Sequence, residues 1–208
     1  MQHFSIKEQR TTLKALVSWS VRGLVVGGIG GGQTERAYCA AAVKVQSGKI
    51  KDTKALLGEL SSIVPDDDDF EDAFSRARQT KPRIARYIQL AIERTNQGEA
   101  EPELVPNANS DEVSLEHILP RTPKQGEWPD FATEEVSQWT NRLGNHTLLK
   151  KTHNGAIGSQ PWTVKQPILA MSSLPLTKDA AKATTWDKAA INKRQKMLAK
   201  LAVKTWAR

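Results

Sequence analysis

The chain has almost no cysteine. Cys39 stands alone among 208 residues, so no disulfide can close within one molecule and no four-cysteine zinc site can form. Packing must hold the fold together. The sequence also lacks any run approaching the roughly 18 consecutive apolar residues that a membrane-spanning helix needs, which argues against a membrane role. Its first residues, from Met1 through Phe4 to Arg10, contain no apolar stretch followed by a small-residue cleavage site. A secretory signal is therefore not expected, and a cytoplasmic location is. Acidic residues are scarce in one place. Up to Ser110 there are 15 basic and 14 acidic residues (net +1), and after it 15 and 9 (net +6). From Thr140 onward 13 Lys and Arg face only Asp179 and Asp187, 13 against 2, a net of +11. Such asymmetry points to a polyanionic partner, the alternative being a lysine-rich solvated helix surface.

What is present reads first as helix. From Ile6 to Val26 apolar residues recur at helical spacing (Leu13, Leu16, Val17, Val21, Leu24, Val25) until Gly27 to Gly32, where each glycine costs a helix about 1 kcal/mol relative to alanine. Further helices are expected over Gln33 to Gln46, Thr53 to Ile63 and Phe70 to Arg78, the last preceded by the aspartates 66–69, which suit a helix N-terminus. Pro82 opens another, with Ile84, Tyr87, Ile88 and Ala91 on one face, ending near Gly98. Composition then shifts to Gly, Glu, Pro and Asn. The chain is expected to divide into a helical region 1–98, a linker 99–110 and a C-terminal domain 111–208. There, Val113, Leu115 and His117 alternate as a short strand, Thr147 to Lys150 form a second, and a basic helix runs from about Lys182 to Trp206.

Several signals carry little. Gly27-x4-Gly32-Gln33-Thr34 has P-loop spacing, but glutamine replaces the lysine that must reach the phosphates, and the segment follows a helix. The run Asp66 to Asp69 lacks the alternation and glycine of a calcium loop. Cys39, in an alanine-rich helix, reads as a buried small residue. The tryptophans at 128, 139, 162, 186 and 206 read as packing residues.

Chemistry-bearing residues cluster in the C-terminal part. Three of the four histidines, His117, His146 and His153, lie beside Glu116, Asn145 and Asn154. The order is Glu116-His117-Ile118-Leu119-Pro120, then Leu143-Gly144-Asn145-His146-Thr147-Leu148-Leu149, then Thr152-His153-Asn154. This set resembles the core of the HNH, or His-Me finger, nucleases. More closely, it resembles the C-terminal domain of the GmrSD-type restriction endonucleases, with an E-H-I-x-P opening, an L-G-N-x-T-L-L strand and an asparagine shortly after. Trp162 and Lys165, and a closing helix bearing Trp186, Ile191, Arg194 and Leu198, extend the similarity from Ser114 to Leu198. Arg83 to Glu93 is similar, more loosely, to the helix that precedes the nuclease motif in that family.

The resemblance implies an α+β protein: a mostly α-helical N-terminal region, then a small ββα-metal (HNH) nuclease core with additional C-terminal helices. It implies a DNA endonuclease in which His117, a group that titrates near neutrality, takes a proton from water. Glu116 and Asn154, hard oxygen donors, are expected to hold Mg²⁺ or Mn²⁺, which would stabilise charge on the phosphorane. Asn145 is expected to orient the His117 ring. Phosphate contacts are expected from His146, Lys150, Lys151, Lys165 and Arg194. Two positions depart from the pattern: His146 stands where an apolar residue is usual, and His153 would become a ligand if the register slipped by one. Members of the family restrict phage DNA, many through an N-terminal NTPase domain that is not evident here, so an NTPase or sensor domain or partner subunit is expected elsewhere. The rival readings are a non-catalytic DNA-binding module and a regulatory scaffold with a degenerate nuclease core.

Overall fold

A computed structural model describes residues 3–27, 31–102, 113–150, 153 and 157–208. The chain forms two compact units, Met1–Ala73 with Trp206–Arg208, and Phe74–Thr205. In the first unit α1 spans Ile6–Val26, α2 Gly31–Gln46 and α3 Thr53–Leu60. Ser5 caps α1 by accepting the Glu8 N–H, and Asp52 caps α3 by accepting the Ala55 N–H. Gly27, at a φ of 68°, ends α1 as the glycine run anticipates. The apolar faces bury Phe4, Trp19, Ala41, Ile50, Leu56, Leu60, Ile63 and Val64 together. One charge enters this interior. Arg22 is wholly buried and donates to the carbonyls of Trp206 (2.6 Å) and Pro65 (3.1 Å) and to Asp67 (2.5 Å), with its guanidinium 4.8 Å from the Phe70 ring centre. These bonds hold the last residues of the chain in the first unit.

The helix α4, Asp67–Arg76, starts earlier than the hydrophobic spacing suggested, because Asp67, Asp68 and Asp69 form its first turn. There their charge meets the unpaired N–H groups of the helix start. Cys39 is exposed rather than buried, since it falls on the outer side of α2.

The second unit contains α5 (Pro82–Asn96), β1 (Val113–His117), α6 (Val136–Thr140), β2 (His146–Lys150), α7 (Trp162–Ala170), α8 (Pro175–Ala180) and α9 (Lys188–Thr205). The helix before the linker thus packs in the same unit as the strands. β1 and β2 pair antiparallel, from Val113 opposite Lys150 to His117 opposite His146. The closing helix begins at Lys188 rather than Lys182, because Asp187 caps it by accepting the Ala190 N–H. Of residues 151–157, where the helix of a ββα core is expected, only His153 and Ile157 are described, both helical. Trp128, Trp162 and Trp186 are buried in one core with Ile118, Leu119, Leu149, Leu169 and Ile191, and Trp139 packs against it. Among the described residues no helix is long and apolar enough to cross a membrane.

The helix α9 comes close to the 3-10 turn Leu143–Asn145 that leads into β2. A Cβ on Gly144 would lie 2.8 Å from Gln195 Cβ and closer still to the Ile191 carbonyl oxygen. The Gln195 side chain accepts the Gly144 N–H (3.0 Å) and an Arg142 N–H (2.9 Å), and donates to the carbonyls of Phe74 (2.7 Å) and Ala77 (2.8 Å). Gly144→Ala is therefore expected to destabilise the second unit by about 3 kcal/mol through overpacking against backbone. A fall in the denaturant midpoint at unchanged m-value checks this.

Candidate active site

His117 ends β1, and the segment after it is held by Asn145 from the neighbouring strand start. Leu119 donates its N–H to Asn145 Oδ1 (2.8 Å), and Asn145 Nδ2 donates to the carbonyls of Leu119 (3.0 Å) and Thr140 (3.2 Å). Trp186 Nε1 completes the set on Oδ1 at 2.9 Å. Two donor hydrogens and two acceptor positions are thus filled. Asn145 does not orient the His117 ring as expected; it fixes the backbone that follows His117.

The ring itself is half-buried, and its Nε2 is sealed without a hydrogen-bond partner. With Nε2 sealed, a base at this position would have to act through Nδ1. Burial, followed by the positive charges of Arg121 and Lys165, lowers the His117 pKa to about 4. The imidazole is therefore neutral at physiological pH, with a lone pair free to take a proton. Arg121 is exposed beside it and was not singled out by the motif, which ends at Pro120.

Successive residues leave a strand on opposite faces, so Glu116 and His117 diverge. Glu116 is only 5 % exposed and pairs with Lys165, whose Nζ lies 2.5 Å from Oε1 and also donates to the His117 carbonyl at 2.9 Å. Burial raises the Glu116 carboxyl and lowers the Lys165 ammonium, while their mutual attraction opposes both shifts. Glu116 thus does not stand open as a metal ligand. Asn154, its expected companion, and Lys151 lie outside the described residues. His153 is described and exposed. Among the described residues no three His, Cys, Asp or Glu side chains converge to hold a metal ion. The described side chains, taken alone, do not fit a divalent centre.

Three of the expected phosphate contacts are corrected by burial. Lys165 is wholly buried on Glu116. Arg194 points inward, donating to the carbonyls of Gly144 (3.0 Å) and His146 (2.6 Å), and burial brings its pKa down to about 10. His146 is wholly enclosed, its Nε2 3.0 Å from the Thr140 carbonyl and its ring centre 4.6 Å from that of His117. Burial drives its pKa well below that of a free histidine. Lys150, at the end of β2, is exposed and remains available to a phosphate.

The buried ion pair makes a direct prediction. Lys165→Met strands the Glu116 carboxylate and should cost about 3–5 kcal/mol. Adding Glu116→Gln to that variant should recover part of the loss, and a double-mutant cycle from chemical denaturation measures the coupling.

Among individual curated proteins none matches the chain. A family model does: residues 64–201, well over half of the sequence, match the model described as "GmrSD restriction endonucleases, C-terminal domain". The match takes in both strands, Asn145 and its partners, and most of the closing helix. The chain belongs to the family of GmrSD restriction endonuclease C-terminal domains, a nuclease family whose substrate is DNA.

Proposed function

We propose that the second unit is an HNH-type DNA endonuclease in which His117 removes a proton from the attacking water. The observation that carries this reading is a histidine at the end of β1 whose Nε2 is sealed, so that it can meet water only through Nδ1, and whose imidazole is held neutral by burial and neighbouring cations. The backbone after it is fixed by Asn145. In-line attack on phosphorus needs a base held in position. A neutral His117 supplies the lone pair, and the exposed Arg121 guanidinium supplies positive charge where the phosphate must come. Lys150, with Lys151 beyond it in sequence, extends that charge along the path of a DNA backbone.

Mg²⁺ or Mn²⁺ belongs to the proposal through the chemistry of phosphodiester hydrolysis, where a bound cation neutralises developing charge. Glu116, tied to Lys165, does not fit as an open ligand, so the proton transfer is derived from the chain's own groups. The biological role we infer is restriction of invading phage DNA in the cytoplasm. An NTPase or sensor domain or a partner subunit would supply recognition.

Supercoiled plasmid incubated with the protein and Mg²⁺ or Mn²⁺ should be nicked or linearised. His117→Ala should lower the rate by about 100-fold or more, as loss of a general base does. An intact plasmid with the wild-type chain, or equal cutting by the variant, overturns the assignment. Undiminished cutting in EDTA overturns its metal component.

The pH profile adds a second expectation. A free histidine loses its basic form below about 6.5, but the His117 pKa is lowered to about 4. The base is therefore deprotonated above that value and protonated below it. The acid limb of kcat/KM, which reports the free enzyme, should fall close to pH 4 and be flat from pH 6 to 7. An acid limb at the ordinary histidine value would show that burial and the neighbouring cations do not depress His117 in the active protein.

A further inference from the structure

With the Asn145 amide spent on Leu119, Thr140 and Trp186, none of its hydrogen-bonding groups is left for the His117 ring. What touches that ring is His146. The two residues are direct cross-strand partners, the last pair of the β1–β2 ladder. Their rings meet edge to face, with centres 4.6 Å apart and planes at 78°, an arrangement that aromatic quadrupoles favour. His146 is wholly buried, so it is unavailable to DNA.

His146 is itself immobilised. The Thr140 carbonyl can only accept, so the Nε2 of His146 that lies 3.0 Å from it carries the hydrogen. The same oxygen receives Asn145 Nδ2, so one carbonyl ties the ring partner of His117 to the residue that fixes the loop after His117. His146 Nδ1 has no partner and no solvent. An apolar side chain at this position would fill space without a bond to set its rotamer. A histidine bonded at one edge presents a ring in one orientation.

We propose that His146 is the positioning residue of the candidate active site: hydrogen-bonded to Thr140, it holds the His117 imidazole in the orientation that presents Nδ1 to water. This rests on the endonuclease reading above, in which His117 is the base. His146 itself touches neither water nor phosphate and takes no proton in the reaction.

The test uses the full chain, with His146→Leu and His146→Phe beside the wild type. If His146 positions the base, His146→Leu lowers kcat for plasmid nicking by about 10- to 100-fold, the scale of a misplaced catalytic group, and leaves KM within about 2-fold. His146→Phe retains a ring against His117 and should keep more of kcat than the leucine variant. Wild-type kcat in the leucine variant, or a loss expressed in KM, overturns the proposal. A second measurement depends on neither activity nor variant folding. Nitrogen-15 imidazole spectra of the wild-type protein should show a slowly exchanging Nε2–H on His146, a single His117 ring conformer, and cross-relaxation between the two rings. Fast exchange of that proton, or no contact between the rings, overturns it. If the wild type cuts no DNA while these signals are present, the endonuclease reading fails and the ring arrangement stands.

Discussion

Asn145 is fully enclosed where three stretches of the second unit meet: the segment after β1, the end of α6 and the approach to α9. Its side-chain amide crosslinks Leu119, Thr140 and Trp186, and its own carbonyl receives the Ile118 N–H at 3.1 Å. A buried amide left short of partners would be costly, and this one is fully used. The direction in which the chain leaves His117, the place of Thr140 beneath His146 and the seating of Trp186 all follow from it.

Behind that amide, α9 holds the 3-10 turn from the other side. Gly144 admits the helix because it has no side chain, Gln195 bonds the turn's backbone, and Arg194 satisfies the carbonyls of Gly144 and His146. Two cations that would ordinarily lie on the surface, Lys165 and Arg194, are spent inside this framework. The positive charge of the C-terminal half is therefore of two kinds. One part braces the hairpin, and the other, including Lys150 and the exposed Lys193, Lys196, Lys200 and Lys204, remains on the surface.

Much of the fold was legible in the sequence because its signals are local. Hydrophobic spacing marked α1 and α5, glycine marked the end of α1, and alternation marked β1. Residue order also carried the resemblance to the family, through Glu116-His117-Ile118-Leu119-Pro120 and Leu143-Gly144-Asn145. What the order could not convey was which way each side chain points. Lys165 and Arg194 read as phosphate contacts because a basic residue is usually exposed. Their partners, Glu116 for Lys165 and the Gly144 and His146 carbonyls for Arg194, are 48 or more positions away in sequence. Asn145 stood in the motif as the residue expected to orient the His117 ring, but its four side-chain hydrogen bonds go to the Leu119 N–H, the Leu119 and Thr140 carbonyls and the Trp186 indole, a pairing that residue order does not reveal. His146 stood out only as a departure, and its enclosure depends on Thr140 lying across from it.

The Gln195 side chain joins the turn at Gly144 to carbonyls at Phe74 and Ala77, 121 and 118 positions away. Contacts that distant form late, because a long loop must close before they contribute. As the chain is synthesised, β1 and β2 emerge before the helix that braces the turn between them, and a two-stranded hairpin by itself is marginally stable at best. A shortened product ending before that helix would carry the motif residues without the framework that aligns them.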